Sequence, residues 1–323
     1  MSMVRVGGLV LTLAACIASA VAADTYPSRP IRLIVPQAPG SASDTVARLV
    51  AADLSRELNQ QIVVDNRPGG ALMIGLEMTA RATPDGYTIG YGPVGGLAIS
   101  PNVQRKPPID TRKDLQPVMQ TTTGHMLLAA SPQSPLHSVK EVIEYAKQNP
   151  GKLSNASSGN GTPGHVGFEL FKTMTGTNIV HVPYKGGAAG ITDLISGQVQ
   201  LMMESLNSIT PHAKAGRVRA LAVTGPRRSF ALPDTPTVAE AGVPGYEATT
   251  WTGIVAPVGV PRANIAMLNA ALNRVIASSA MKDKLALIGA EPAGGTPEQF
   301  GAFIRSEYAK WGDVVKRSGA KID

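Results

Sequence analysis

The feature that most constrains this chain is a regular alternation of short apolar runs with longer segments of helical period. Runs at 31–35, 61–65, 87–91, 125–130, 153–157, 179–183, 199–203, 219–224 and 251–256 have the length and apolar content of strands. Segments 44–58, 72–82, 138–148, 164–175, 187–196, 206–215, 262–278, 281–289 and 297–318 read as helices. In the first of these, Val46, Leu49, Val50, Leu54 and Leu58 share one face. Ser138-x-x-Glu141 and Thr296-x-x-Gln299 have capping-box form. The last helix places Phe300, Phe303, Ile304, Trp311, Val314 and Val315 on one stripe, with Gly319 as a stop. Such alternation predicts an α/β fold with largely parallel sheets.

Two of the alternations share a plan. Residues 31–65 and 153–183 each run strand, small polar turn, helix, strand. Each is a right-handed βαβ candidate with its turn at the carboxyl end of a strand, where open α/β sheets take ligands. One unit early and one in mid-chain point to two lobes, each offering one helix N-terminus.

The first turn, "PQAPGSASDT" over 36–45, is built of small residues. A helix start carries amides without internal partners and a partial positive charge, so an anion placed there satisfies both. Glycine lets it come close to the backbone. Ser41-x-x-Asp44 reads as a capping pair with Asp44 structural; direct ligand contact by Asp44 is the alternative. Ser41, Ser43 and Thr45 read either as ligand hydroxyls or as ordinary cap chemistry.

The second turn, "SSGNGTPGH" over 157–165, places Thr162 at an N-cap and Pro163 at the first helical position. It lacks the G-x-x-x-x-G-K-[ST] phosphate loop and the dinucleotide fingerprint. Its neutral groups, Ser157, Ser158, Asn160 and Thr162, suit a carboxylate. His165 either orients a ligand or is a capping or packing histidine. Glu204, in "QLMMESLNS", follows an apolar strand and either faces a cleft or is solvated or paired. In a cleft it would repel an anion unless protonated or bridged, and would fit a ligand with an amino, hydroxyl or amide donor.

Catalytic, metal and cofactor readings find little support. His125, His137, His165, His181 and His212 form no H-E-x-x-H, no Cys/His cluster exists, and no G-x-S-x-G elbow occurs. The net charge of +7 is dispersed, with no basic cluster beyond pairs such as Arg227-Arg228, and aromatics are only 4%. That describes a solvated surface and not a nucleic-acid face. Residues 1–23 read as an export leader, with Arg5, an apolar 6–19 and the small residues Ala20-Val21-Ala22-Ala23. No mature stretch is apolar and long enough for a span. Leu13-Ala14-Ala15-Cys16 also fits a lipoprotein processing site, which would anchor the protein through Cys16. Cleavage at the alanines would instead leave a chain without a thiol.

The ordered stretches "YPSRPIRLIVPQAPGSASDTVAR", "VVDNRPGG", "TPDGYTIGYG", "SSGNGTPGHVGFELF", "HVPYKGGAAGITDLISGQVQLMMESL", "GRVRALAVTGPRRSFALPDTPTVAEAGVPGYEA" and "WTGIVAPVGVP" resemble the solute-binding proteins of tripartite tricarboxylate transporters, the Bug-type receptors. The likeness runs from about Tyr26 to the C-terminus. It implies a bilobal, type II-like periplasmic-binding-protein fold, with lobes 24–124 plus 249–323 and 125–248, and a hinge near 120–125 and 247–251. It implies a non-catalytic periplasmic monomer without cofactor that captures a small organic acid and delivers it to membrane permease subunits. An extracytoplasmic sensor partner is the alternative, and a secreted hydrolase using Glu204 or His165 as base is a third reading that lacks a nucleophile. The family's gripping loops fall on 36–45, with Gln37, Pro39, Gly40, Ser41, Ser43 and Thr45, and on 157–165, with Ser157, Ser158, Asn160, Thr162 and His165. A third loop, Gly92-Pro93-Val94-Gly95-Gly96, adds Val94, and the family's acidic position falls on Glu204 with Asn207 nearby.

The sequence departs from the family's common pattern at several of these places. Gln37 stands for an aromatic, Ser41-Ala42 for glycines, Leu72 and Met73 for a polar position, Val94 for serine or threonine, and Glu204 for aspartate. These bear on the ligand's identity more than on the fold.

Overall fold

The computed structural model describes residues 26–318. The leader, Cys16 and Gly319 lie outside the described residues. In chain order the elements are β1 (Ile31–Val35), α1 (Ala42–Leu58), β2 (Ile62–Asn66), α2 (Met73–Ala80), β3 (Thr88–Pro93), α3 (Ser100–Val103) and β4 (Leu115–Ala130). Then come α4 (Val139–Gln148), β5 (Ser154–Ser157), α5 (Pro163–Thr175), β6 (Val180–Pro183), α6 (Gly187–Ser196), β7 (Leu201–Ser205), α7 (Leu206–Lys214) and β8 (Arg219–Val223). The chain closes with β9 (Thr249–Pro257), α8 (Arg262–Ala277), α9 (Ser279–Leu287), β10 (Ala290–Pro292) and α10 (Pro297–Ser318).

Both βαβ units form as parallel neighbours. Ile31 of β1 lies opposite Ile62 of β2, and Ser154 of β5 opposite Val180 of β6. The strand order is β2-β1-β3-β9-β4-β7-β5-β6, with β8 and β10 also pairing β4. The expectation of largely parallel sheets is corrected. The pairs β3–β9, β4–β9, β4–β7, β4–β8 and β4–β10 are all antiparallel. The cause is a pair of long strands through the middle. β4 pairs with β9 from Leu115 to His125 and with β7 from Met126 to Ala130, so one strand serves two groups of partners. Only its second part reads as a strand in the sequence, because Pro117, Gly124 and the polar run 120–123 mask the rest.

A loop was expected after β3. The structure instead has a helical turn, Gly95–Ile99, running into α3. Gly95, Gly96 and Pro101 argue for a loop, but Leu97, Ala98 and Ile99 are completely buried, and burial overrides local propensity.

Three apolar cores result among the described residues. One packs α1, α8 and α9 on β1 and β3 through Val46, Val50, Leu54, Leu268, Leu272 and Met281. One packs α6 and α7 on β7 and β8 through Ile191, Leu194, Ile209 and Val223. The largest runs from Leu97 and Ile99 through Phe300, Ile304, Trp311, Val314 and Val315 of α10 to Phe168 and Phe171 of α5. It therefore joins residues expected in different lobes into one continuous interior. Tyr246 belongs to the same core and donates to Gly167 O over 2.9 Å.

Candidate functional site

A cavity of about 350 Å³ lies where the carboxyl ends of β1, β3 and β7 meet the middle of β4 and the start of β9. Of the residues singled out in the sequence, Gln37, Gly40, Ser41, Ser43, Thr45, Val94, Ser158, Glu204 and Asn207 line it. Pro39, Ser157, Asn160, Thr162 and His165 do not. Among the described residues, no group of three or more His, Cys, Asp and Glu side chains could hold a metal, and no helix is long and apolar enough to cross a membrane.

In the first turn the capping reading of Asp44 holds. Ser41 Oγ accepts the Asp44 amide at 3.2 Å, and Asp44 Oδ2 accepts the Gly40 amide at 2.8 Å. Asn66 Nδ2 donates to Asp44 Oδ1 at 2.8 Å and to Gln37 O at 2.9 Å, while Arg48 Nε reaches Asp44 Oδ2 at 3.0 Å. Burial alone would raise the Asp44 carboxyl, but the bonds from Arg48, Gly40 and Asn66 and the Arg48 charge hold it below the ordinary range. Thr45 Oγ1 donates to Ser41 O at 3.0 Å. What this network leaves on the cavity side is the amides of Ala42 and Ser43, the first two of α1.

The second turn is built differently. Thr162 is the N-cap residue by position, but its hydroxyl donates to Gly159 O at 2.7 Å and caps no helix amide. His165 Nδ1 accepts from the Gly161 amide at 3.1 Å, and its ring stacks on His181 with centroids 4.1 Å apart. Ser157 Oγ and His181 Nε2 are 2.7 Å apart. Burial, then the neighbouring His181 and Lys172, pushes His165 down to about 3. Burial, with Lys172, pushes His181 to about 4. Ser157, Thr162 and His165 thus shape the turn from behind, and Asn160 and Pro39 face solvent. Only Ser158 and Pro163 of this turn reach the cavity wall.

Two further helix starts reach the same cavity, and of their residues the sequence reading named only Asn207. They are Gly187 and Ala188 of α6 and Asn207 and Ser208 of α7. Glu204 lies between them and is only 5% exposed. Its Oε1 accepts the Ser205 amide at 2.9 Å, whereas Oε2 has no partner. Oε2 also lies 2.9 Å from where a β-carbon on Gly187 would sit, so glycine is required for this approach. Burial pushes the Glu204 carboxyl up to about 6, against the Ser205 amide and the neighbouring Ser158 and Ser205 hydroxyls, which lower it. Asn207 Nδ2 donates to Ala42 O at 3.3 Å, joining the starts of α7 and α1.

The floor comes from the two central strands. Thr122, Thr123 and His125 of β4 and Thr250, Trp251 and Thr252 of β9 line it. Trp251 Nε1 donates to Glu307 Oε2 at 2.8 Å, and Trp311 Nε1 donates to the same oxygen at 3.1 Å. Leu72 joins the wall with a left-handed backbone, φ 74°. Leu72 was named in the sequence as a departure from the family pattern, but the threonines and His125 of β4 were missed as lining residues because the first part of β4 does not read as a strand; the run Thr121-Thr122-Thr123 was the available signal. Among the described residues, eight buried side-chain polar atoms lack a partner, and five of them belong to the lining residues Gln37, His125, Glu204, Asn207 and His212. No lysine or arginine lines the cavity.

Comparisons with known proteins bear on the family and the fold. Residues 46–320 match the family model described as the tripartite tricarboxylate transporter family receptor. The chain is 36% identical over 311 residues to protein BugT of Bordetella pertussis, covering 95% of this chain and 94% of that one. It superposes on R. palustris Rpa4515, solved with adipate, with a TM-score of 0.89 and 39% identity over 92% of this chain and all of that one. It superposes on MatC of Rhodopseudomonas palustris, solved with bound malate, with a TM-score of 0.84 and 30% identity over 90% of this chain and all of that one.

Proposed function

Because this chain belongs to the tripartite tricarboxylate transporter receptor family, a family of periplasmic solute-binding proteins and not of enzymes, we propose that it captures a small organic carboxylate in the cavity described above and hands it to the membrane subunits of such a transporter. The observation that carries this reading is the convergence of three helix N-termini, those of α1, α6 and α7, on one cavity whose described lining holds no lysine or arginine, with α5 adding Pro163 at its own start. Orphan amides and the positive ends of helix dipoles then do the work of a cation. The adipate and malate held by the two solved relatives support the ligand class.

In this reading, 24–124 plus 249–323 form one lobe and 125–248 the other. Gln37, Gly40, Ser41, Ser43, Thr45 and Val94 would meet the ligand from the first lobe, and Ser158, Glu204 and Asn207 from the second. Closure is a hinge motion, selected by a ligand that touches both lobes. The hinge lies where β4 exchanges β9 for β7, between His125 and Met126, and where the chain returns into β9 at Thr249. Residues 1–23 act as the export leader.

Thermal melts against a panel of mono- and dicarboxylates test the reading. A ligand present at ~100 times its dissociation constant adds about 2.7 kcal/mol of stability. A panel of organic, amino and aromatic acids that leaves the melting temperature unmoved would refute it.

A further inference from the structure

The cavity wall carries two opposite chemistries. Donors come from the backbone: the amides of Ala42 and Ser43 at one helix start and of Gly187 and Ala188 at another. Acceptors come from side chains. Glu204 Oε2 and Asn207 Oδ1 are buried and unpartnered, and the Asn207 amide is oriented by the bond from its Nδ2 to Ala42 O. Gln37 Oε1 is a third buried, unpartnered oxygen on the same wall. The other titratable groups of the wall are His125 and His212, both held below the ordinary imidazole value by burial, so neither supplies a cation at neutral pH. With no lysine or arginine in the described wall, no cationic side chain opposes the charge on Glu204, and helix ends and neutral donors stand in for one.

We propose that the ligand is a carboxylate whose far end carries a hydrogen-bond donor (an amine or amide), and that Glu204 selects this donor over a second carboxylate. The proposal rests on the receptor reading above. A carboxylate fits the helix-end amides. A second carboxylate would set like charge against a buried carboxylate that has no cationic partner, whereas an amine or amide gives the unpaired oxygens the partner they lack. Glu204 is then a specificity-determining residue, and the missing β-carbon of Gly187 leaves room for its carboxylate between two helix starts.

The test is calorimetry on the mature protein at neutral pH with succinate, glutarate and adipate, each beside its monoamide and the ω-amino acid of similar length. The expected result is that a donor-bearing member binds roughly tenfold or more tightly than its own dicarboxylate, the scale of one buried charged hydrogen bond. In Glu204→Gln that preference should largely vanish, and Gly187→Ala, whose methyl displaces the carboxylate, should erode it as well. A dicarboxylate that binds as tightly as its monoamide and amine overturns the proposal and leaves the receptor reading standing. So does a donor preference untouched by both substitutions. If no member of any series binds, the receptor reading falls and the proposal with it. The series on the unsubstituted protein decides on its own should a variant fail to fold.

Discussion

Asn207 Nδ2 donates to Ala42 O over 3.3 Å, joining residues 165 apart in sequence and two helix starts that face one cavity. The bond ties the start of α7 to the start of α1 at the cavity, and in the two-lobe reading proposed above it helps to hold the lobes together. Replacing Asn207 with Ala should weaken closure by about 0.5–1.5 kcal/mol, or roughly threefold to tenfold in ligand affinity, mainly through faster release. Small-angle scattering of the ligand-free protein should show a larger radius of gyration. Unchanged scattering together with an unchanged dissociation rate would show that this bond fastens nothing.

Glu307 collects both indoles of the chain, since Trp251 and Trp311 are its two tryptophans. Glu307→Leu leaves two buried N–H groups unpaired and should cost at least about 2 kcal/mol in urea denaturation, while Glu307→Gln keeps an acceptor and should cost about 1 kcal/mol. Trp251 also lines the cavity, so ligand should change the emission of the parent and of Trp311→Phe, but not of Trp251→Phe. A signal carried by Trp311 alone would contradict this placement.

Asp44 should set part of the acid limb of stability. Its carboxyl is held below its ordinary value of 3.8, so the stabilisation is present above that value and is lost as pH falls through the folded one. Asp44→Asn should therefore lower stability by about 1 kcal/mol at neutral pH and make little difference in strong acid. Denaturant melts of both proteins across the acid range give the comparison, and parallel curves would exclude the assignment.

Glu204 works in the opposite sense in the ligand-free protein. Burial raises its carboxyl from 4.5 to about 6, so folding is unpenalised below the lower value and becomes penalised as pH rises through the higher one. The penalty amounts to about 2 kcal/mol once both states are ionised. Glu204→Gln should thus gain stability over the parent in mildly alkaline buffer and none in mild acid. A gain of equal size in both buffers would rule out the buried charge as its source.

The elements with strong local signals were legible in the sequence. The apolar face of α1, the stripe of α10 and the two permissive turns all appear as read, because periodicity and turn chemistry are local properties. The first turn was readable down to the bond between Ser41 and Asp44. The second was readable only as a turn: that Ser157 and His165 support it from behind depends on His181, which reaches them through strand pairing between β5 and β6. Thr122, His125 and Trp251 were hidden for the same reason. They enter the cavity because β4 and β9 lie side by side over most of their length, and that pairing spans more than a hundred residues of chain.

β4 belongs wholly to neither group of strands. Leu115 to His125 complete one set of pairings and Met126 to Ala130 the other, with no loop between. The halves are consequently not interchangeable parts. A chimera joined within this strand must keep both registers in phase, since a slip of one residue would turn every side chain beyond the join to the opposite face. Grafting a new specificity onto this scaffold is therefore better done by exchanging turns around an intact β4 than by exchanging halves.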